Sequence, residues 1–128
     1  KGWFMKKILL SINPEYVERI LNGTKKFEYR TRIAKRDIKA ILVYCTYPTK
    51  KVVAQVKIKS ILANTPENLW EKTKAFSGIS KDFFDMYFKN REIAYAYELG
   101  EIIEFKKPKV LEDFGIHYAP QSFVYIET

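Results

Sequence analysis

A short helix with both ends marked in the sequence, followed at once by a charged strand, is the feature that most constrains this fold. Asn13 is a favourable N-cap, Pro14 suits the first helical position, and Gly23 can adopt the left-handed conformation that ends a helix. The apolar residues between them recur at helical spacing, which predicts an amphipathic helix over residues 14–22. A strand over about residues 25–32 follows directly, so the fold has to combine both element types.

The strand after this helix alternates polar and apolar residues. Phe27 and Tyr29 are expected on one of its faces, because successive side chains of a strand point in opposite directions. The opposite face carries Glu28, Arg30 and Arg32. A carboxylate and two guanidinium groups on one face indicate either a binding site or a solvated surface with an ion pair worth about 0.2–1 kcal/mol. Both interpretations stay open at this point.

Further strands are predicted from apolar runs and from alternation over residues 6–12, 39–47, 51–62, 93–99, 102–105 and 122–127. Gly100 predicts a turn between the strands over residues 93–99 and 102–105, and residues 106–115, with Pro108, predict a connection. About six to seven short strands with two to three flanking helices indicate an α+β fold. We expect a small mixed β-barrel that is closed or nearly closed.

Two further helices are predicted in the middle of the chain. Thr65 and Pro66 mark the start of the first, and Ser80 caps the second. In the second helix, the aromatic residues at core spacing are expected to face the interior: Phe83, Phe84, Tyr87 and Phe88.

Chain length and composition fit one globular domain. At 128 residues, with 47% hydrophobic and 16% aromatic residues, the chain can bury a core. We expect residues 1–4 to be an added or disordered N-terminal segment before a natural start at Met5, and residues 5–128 to form a single domain. No apolar run approaches the ~20 residues of a membrane span, and no signal peptide is visible. These features predict a cytoplasmic protein with no membrane partner.

Charge is distributed unevenly along the chain. Residues 1–60 contain 15 lysine and arginine residues and 4 acidic ones, a net charge of +11, whereas residues 61–128 contain 8 and 11, a net charge of −3. The basic half predicts a surface for a polyanion such as nucleic acid, with scattered surface lysines as the alternative. If the sheet curls, three basic turns are expected to converge around one mouth, and they contain Lys25, Lys26, Lys35, Arg36, Lys50 and Lys51.

Two other residue types bear on such a surface. Tyr29, Tyr44 and Tyr47 lie close to the basic turns in sequence, and they predict either platforms for base stacking or, more often for strand aromatics, core residues. Glu28 would repel phosphate. It is therefore better suited to orient a guanidinium group or to accept a hydrogen bond from a base amino group.

Several kinds of chemistry find no support in the sequence. The 5 glycines are dispersed and form no phosphate-binding loop. With a single cysteine, Cys45, and a single histidine, His117, the chain offers no usual metal site, and we expect neither a metal nor a cofactor. A Cys45–His117 nucleophile pair is formally possible, but a thiol within an apolar strand is usually a small buried hydrophobe.

Residues 23–30, Gly-Thr-Lys-Lys-Phe-Glu-Tyr-Arg, resemble the G-x-K-x-x-E-x-R signature of the ASCH family, a branch of the PUA-like superfamily. Other segments resemble that family in the same order, over residues 8–16, 44–48, 77–79, 83–84 and 119–123. The resemblance thus spans nearly the whole chain. It implies a small β-barrel with flanking helices and a basic cleft for RNA or a nucleotide-like ligand.

The resemblance also implies where the site lies. The signature lysine, glutamate and arginine are Lys25, Glu28 and Arg30, and they would line the cleft. Residues at the end of the central strand and at the start of the last strand would be their neighbours. With the basic turns included, the predicted binding residues are Lys25, Glu28, Arg30, Arg32, Lys35, Arg36, Thr46, Lys50, Lys51, Gln121 and Ser122.

Three functional hypotheses follow from the residues and the resemblance. The leading one is an RNA-binding or nucleotide-binding module without catalysis, similar to family members that regulate transcription or translation. The second is a hydrolase, either an amidohydrolase on a modified nucleoside with Lys25 and Glu28 as acid and base, or a ribonuclease. Amidohydrolases of the family carry a threonine nucleophile where this chain has Glu28. The third is a protein-interaction domain whose basic face meets an acidic partner.

Overall fold

The structure of the chain, a computed structural model, describes residues 6–35 and 37–126. Within these residues one sheet contains the strands β1 (Lys7–Ile12), β2 (Phe27–Arg30), β3 (Ala40–Cys45), β4 (Lys51–Asn64), β5 (Ala94–Lys109) and β6 (Phe123–Ile126). The α-helices of the same residues are α1 (Pro14–Leu21), α2 (Pro66–Thr73) and α3 (Lys81–Tyr87). Short 3₁₀ turns lie at Lys74–Phe76 and Leu111–Phe114. The predicted additional segment, residues 1–4, lies outside the described residues.

The sheet curls into half of a barrel. Its strand order is β2-β5-β4-β3-β1-β6, in which β1 and β3 run parallel and all other neighbours run antiparallel. The two ends of the sheet approach each other: Arg30 Nη2, at the end of the edge strand β2, donates over 3.1 Å to the carbonyl oxygen of Ser11 in β1, which neighbours the other edge strand, β6. The amide of Lys35 donates to the hydroxyl of Tyr125 in β6 over 3.0 Å. The predicted α+β class and small mixed barrel are confirmed.

The main core lies between the sheet and α1. All of β3 is buried, as its continuous apolar sequence predicts for a central strand. Val17 and Ile20 of α1 join Ile41 and Val43 of β3 in one buried cluster. This packing fixes α1 against the sheet, and with it the turn that leads into β2.

The predicted turn at Gly100 is wrong, because β5 continues through it to Lys109. The pairing of β5 with β4 shifts register on either side of this glycine, so Gly100 sits in a bulge of the ladder. A Cβ at this position would lie 3.4 Å from the carbonyl oxygen of Lys57, which shows how closely the two backbones approach. Pro108, predicted in a connection, also lies within β5 beside a register irregularity.

Only one side of α3 faces the core, so the prediction for its aromatic residues is half wrong. Phe84 and Phe88 are 1% and 2% exposed, and they pack with Tyr29 of β2 in a second buried cluster. Phe83 and Tyr87 are 44% and 36% exposed. The cap predicted at Ser80 is confirmed, since its hydroxyl accepts from the amide of Phe83 over 3.1 Å. The helix thus presents two aromatic side chains away from the core.

Candidate ligand-binding cleft

A cleft of about 190 Å³ opens between α1, β2, α3 and the end of β1. It is lined by Ser11, Ile12, Asn13, Tyr16, Lys25, Glu28, Tyr29, Arg30, Ile79, Phe83 and Tyr87. The charged residues of this set come from β2 and from the turn before it, whereas the aromatic residues come mainly from the two helices. The signature segment and α3, far apart in sequence, therefore meet at one place.

Lys25 lies at the floor of the cleft and is buried, with 2% of its side chain exposed. Its Nζ donates to the carbonyl oxygen of Ser77 over 2.8 Å and lies 3.8 Å from Glu28 Oε1. The ammonium also lies 5.7 Å and 5.0 Å from the ring centroids of Tyr16 and Tyr29, within the range of cation–π attraction. The lysine of the first predicted basic turn is thus enclosed by polar and aromatic partners.

The loop over residues 76–79 covers Lys25 and depends on Gly78. Gly78 has a φ of +68°, and a Cβ added there would overlap the Cβ and Cγ atoms of Lys25. The loop is held against the helix by Arg19, whose Nη1 donates to the carbonyl oxygen of Gly78 over 2.7 Å. The amide of Lys26 donates to the carbonyl oxygen of Phe76 over 2.8 Å. A glycine is thus required for the loop backbone to close over the lysine stem.

Glu28 and Arg30 form a partly enclosed ion pair beside Lys25. Glu28 Oε2 accepts from Arg30 Nε over 3.1 Å and from Nη2 over 2.8 Å. Only 10% of the Glu28 side chain and 17% of the Arg30 side chain are exposed. Because Nη2 also bonds Ser11, the guanidinium group is fixed in orientation. This enclosure argues against a fully solvated surface at Glu28 and Arg30, and a binding site on this strand face stays a prediction.

Burial shifts the pKa of several cleft residues, among them Lys25 and Tyr29. It lowers the pKa of the Lys25 ammonium below its ordinary value of 10.5; the Glu28 carboxylate opposes this shift, and Arg30 and Arg19 add to it. Burial also raises the pKa of Tyr29 to about 12, although the hydrogen bond with Thr73 works against the increase. Lys25 therefore gives up its proton at a lower pH than a surface lysine does.

The walls of the cleft are aromatic and partly open to solvent. The rings of Tyr16 and Phe83 are 6.0 Å apart, and those of Phe83 and Tyr87 are stacked at 6.2 Å with an interplanar angle of 13°. A planar ligand could contact these rings while its polar edge meets the charged floor. The arrangement suits a flat, partly polar molecule better than an aliphatic one.

The comparison with known proteins now identifies the family. The model of the ASCH domain matches residues 10–109. The chain belongs to the ASCH family. The resemblance inferred from the signature segment is confirmed, and Lys25, Glu28 and Arg30 lie within the matched range.

Relatives of this ASCH domain include an ASCH domain-containing ribonuclease of Zymomonas mobilis subsp. mobilis, 30% identical over 97 residues, which are 75% of this chain and 66% of that protein. The large ribosomal subunit protein uL22 of Ureaplasma parvum serovar 3 is 27% identical over 122 residues. The ATP synthase subunit alpha of the same organism is 28% identical over 122 residues. The chain spans 39% of the length of uL22 and 15% of that of the ATP synthase subunit.

Among solved structures, the crystal structure of ASCH from Zymomonas mobilis resembles this ASCH domain with a TM-score of 0.85 and 25% sequence identity. The similarity covers 94% of this chain and 87% of that chain. The curled half-barrel with its flanking helices is thus the fold of an ASCH protein.

Three other predicted site residues lie beside the cleft and not among its lining residues. Thr46 Oγ1 donates to Asn13 Oδ1 over 3.2 Å, which places it at the rim. Gln121 and Ser122 precede β6, whose first residue pairs with Leu10. The neighbouring Ser11 hydroxyl donates to the carbonyl oxygen of Pro120 over 2.9 Å, so this segment adjoins the cleft. Contact of these residues with a ligand stays a prediction.

The basic residues predicted around one mouth are spread more widely. Arg32 and Lys35 line a separate depression. Lys50 and Lys51 lie at the connection between β3 and β4 and are not among the lining residues of the cleft. Arg36 lies outside the described residues. A single surface formed by all the basic turns stays a prediction. Among the described residues of these turns, Lys25 differs in being buried.

Of the three aromatic residues that the sequence suggested, Tyr29 lines the cleft, and Tyr44 and Tyr47 do not. Tyr44 is 4% exposed and belongs to the core, whereas Tyr47 is 74% exposed but does not line the cleft. Sequence reasoning missed Tyr16, Phe83 and Tyr87 as cleft residues. The spacing of Phe83 and Tyr87, four residues apart, signals one shared helix face. It does not show whether that face is turned to the core or to a ligand.

Other site types gain no support from the described residues. In residues 6–35 and 37–126, no group of three or more histidine, cysteine, aspartate and glutamate side chains is placed to hold a metal ion. Cys45 is a free, buried thiol in the main core, while His117 is exposed. Of the helices in the described part of the chain, none is both long enough and apolar enough to cross a membrane.

Proposed function

We propose that the cleft binds one nucleotide of single-stranded RNA, with the base against Tyr16, Phe83 and Tyr87. The observation that carries this proposal is a charged cluster at the floor of an aromatic-walled cleft. Enclosing Lys25, Glu28 and Arg30 is costly, and such clusters are frequent at functional sites. The cleft volume of about 190 Å³ suits one base-sized ring system and is far too small for a duplex. A relative named as a ribonuclease supports RNA as the polymer.

Glu28 and Arg30 have distinct roles in this proposal. The Glu28 carboxylate accepts a hydrogen bond from an exocyclic amino group of the base. The Arg30 guanidinium holds Glu28 in place and provides positive charge close to the ligand phosphate. Recognition of a base edge explains a carboxylate within a basic half of the chain, which phosphate binding alone does not.

A titration with fluorescent single-stranded RNA at two salt concentrations tests the proposal. We expect binding at low salt that weakens as salt increases, because phosphate contacts release counterions. Lys25→Met and Arg30→Met should each weaken binding at least tenfold, whereas Lys57→Ala, an exposed lysine of β4, should change it less than twofold. Equal effects of all three variants, or no binding at low salt, would contradict the proposal.

Since Lys25 is buried and Arg30 is partly buried, a second measurement separates loss of binding from loss of folding. Thermal unfolding of each variant shows whether it is folded at the assay temperature. In the wild-type chain, addition of a nucleoside monophosphate should shift the amide NMR signals of Ser77 and Ile79, which lie against Lys25 and the cleft. Shifts confined to other parts of the sheet would mean that the site is elsewhere.

The lowered pKa of Lys25 favours a second candidate function, cleavage of the bound RNA. In this proposal the neutral amine accepts the proton of a 2′-hydroxyl group while the 2′-oxygen attacks the adjacent phosphorus. The 5′-oxygen leaves and takes a proton from water, which yields a 2′,3′-cyclic phosphate. The name of the Zymomonas relative is consistent with such an activity.

A pH profile of RNA cleavage tests this second candidate. The rate should rise with pH to a midpoint below 10.5, the ordinary pKa of lysine, and Lys25→Gln should lower it about a hundredfold. Lys57→Ala, purified in parallel, controls for contaminating nuclease and should keep the wild-type rate. Identical cleavage by all three preparations would exclude a role for Lys25.

The remaining hypotheses stay predictions. For an amidohydrolase, the cleft presents Glu28 where the related enzymes carry a threonine, which argues against that activity. A cytoplasmic location, a regulatory role in transcription or translation, and an acidic protein partner likewise stay predictions. The lack of any change when acylated cytidines are incubated with the protein would rule out the amidohydrolase.

A further inference from the structure

A second depression, of about 750 Å³, lies where the two edges of the curled sheet meet. We name it the seam pocket, and it is lined by Thr31, Arg32, Ile33, Ala34, Lys35, Tyr95, Phe123 and Tyr125. Five of these residues follow β2 directly, and the aromatic ones come from β5 and β6. The seam pocket is therefore built by the same closure of the barrel that fixes Arg30.

The seam pocket adjoins the cleft on two sides. Arg30 lines the cleft and the next residue, Thr31, lines the seam pocket, and consecutive Cα atoms are about 3.8 Å apart. On the other side, Ser11 lines the cleft, while Phe123, the partner of its neighbour Leu10, lines the seam pocket. The hydrogen bond from Arg30 to Ser11 connects these two stretches of chain. The two depressions are therefore lined by neighbouring residues on both stretches.

The two depressions differ in charge. The cleft contains the Glu28 carboxylate, whereas the described residues that line the seam pocket include two cations, Arg32 and Lys35, and no acid. Both cations are exposed. Such a surface is suited to a phosphodiester, because exposed lysine and arginine side chains neutralise phosphate.

The seam pocket also offers aromatic faces. Tyr95, Phe123 and Tyr125 are each half-buried, and the rings of Phe123 and Tyr125 meet edge-to-face at 5.4 Å and 84°. A ring fixed by such a contact provides a rigid platform. Base stacking on platforms of this kind contributes about 1–3 kcal/mol per base.

The loop that carries the cations is anchored, so the seam pocket exists before a ligand arrives. The amide of Ala34 donates to the hydroxyl of Tyr97 over 3.0 Å, and the amide of Lys35 donates to that of Tyr125 over 3.0 Å. Binding to an anchored loop does not have to pay for ordering it.

From this continuity, charge and anchoring we infer that the seam pocket holds the nucleotide next to the one in the cleft, on the same RNA strand. The bridging phosphate lies against Arg32 and Lys35, and the second base lies against the aromatic side chains. This inference rests on the proposed function of the cleft and extends it, because it makes a dinucleotide step, and not a single nucleotide, the unit of recognition.

Binding of ligands of increasing length tests the inference. Calorimetry with a nucleoside monophosphate and with its 2′-O-methylated dinucleotide, which resists cleavage, should show at least tenfold tighter binding of the dinucleotide. Arg32→Ala/Lys35→Ala should reduce this length advantage to less than threefold. Lys106→Ala/Lys107→Ala removes the same charge from an exposed part of β5 and should preserve the advantage.

Phe123→Leu provides a test that leaves the charge unchanged. Leucine retains the apolar contact but removes the ring, so the dinucleotide should lose about fivefold in affinity and the monophosphate much less. Equal affinities for the two ligands would overturn the inference that the seam pocket holds a second nucleotide, and so would an equal loss of the length advantage in both double variants. The cleft proposal would stand in either case. Absence of binding for both ligands would instead overturn the proposed function itself.

Discussion

At the scale of single residues, Lys25 shows how this domain encloses a charge. The lysine stem passes under Gly78, its ammonium meets Ser77 and Glu28, and aromatic rings flank it. The cost of burial appears as a lowered pKa and not as an unpaired donor. The signature segment predicted a role for Lys25 and Glu28. It could not predict their enclosure, because the covering loop lies about 50 residues further along the chain.

Gly78→Ala tests whether the covering loop positions Lys25. We expect a loss of about 2–4 kcal/mol in the free energy of unfolding, since the added Cβ is strained at φ +68° and also overlaps the lysine stem. Gly115→Ala is the matched control: its φ is +74°, but nothing lies within 4 Å of the added Cβ. It should cost about 1–2 kcal/mol. Urea denaturation measures the free energy of unfolding of both variants. Equal destabilisation would show that the contact with Lys25 is unimportant.

Tyr29→Phe tests the raised pKa of Tyr29. A folded-state pKa of about 12, against an ordinary value of 10.0, gives a stabilisation that is fully present below pH 10 and is lost as the pH rises towards 12. Between pH 8 and pH 11, the free energy of unfolding of the wild-type chain should therefore fall by about 1.4 kcal/mol more than that of the variant. At pH 8 the variant should be about 1 kcal/mol less stable, because it lacks the hydrogen bond to Thr73. If the free energies of unfolding of the two proteins changed with pH in the same way, the raised pKa of Tyr29 would be contradicted.

At the scale of elements, local sequence signals were sufficient for most boundaries. Pro14 begins α1, the Ser80 hydroxyl caps α3, and the apolar run of β3 lies at the centre of the sheet. The turn predicted at Gly100 was wrong because a glycine in a strand can mark either a turn or a bulge. Which one occurs depends on the pairing with β4, which local sequence does not contain.

Substitutions on the two faces of α3 should have different effects, one mainly on the free energy of unfolding and the other mainly on RNA binding. Phe84→Ala removes a side chain that is 1% exposed and should cost about 3–5 kcal/mol in unfolding free energy. Phe83→Ala removes a ring that is 44% exposed and lines the cleft, so it should cost about 1 kcal/mol or less but weaken RNA binding about tenfold. Thermal unfolding and the RNA titration measure these effects. Similar destabilisation by both substitutions would place Phe83 in the core.

At the scale of the whole molecule, the binding surfaces depend on closure of the half-barrel. Arg30 joins β2 to β1, and residues 31–35 join β2 to Tyr97 and Tyr125. The tyrosine contacts connect residues 63 and 90 positions apart in sequence. Periodicity and turn signals describe only local order, so they predicted a small barrel but could not show which edges meet. For the same reason they could not separate Arg32 and Lys35 from the cleft.

Tyr97→Phe tests this closure. The substitution keeps the buried ring of a residue that is 0% exposed but leaves the buried amide of Ala34 without its acceptor, which should cost about 1–3 kcal/mol. Because the loop is tied to the sheet at this point, hydrogen exchange at Ala34 and Lys35 should accelerate more than in the middle of β3. Tyr118→Phe, at a tyrosine that is 80% exposed, should change neither quantity. Unchanged exchange at Ala34 in Tyr97→Phe would mean that other contacts hold the loop, and the seam pocket would not depend on this tyrosine.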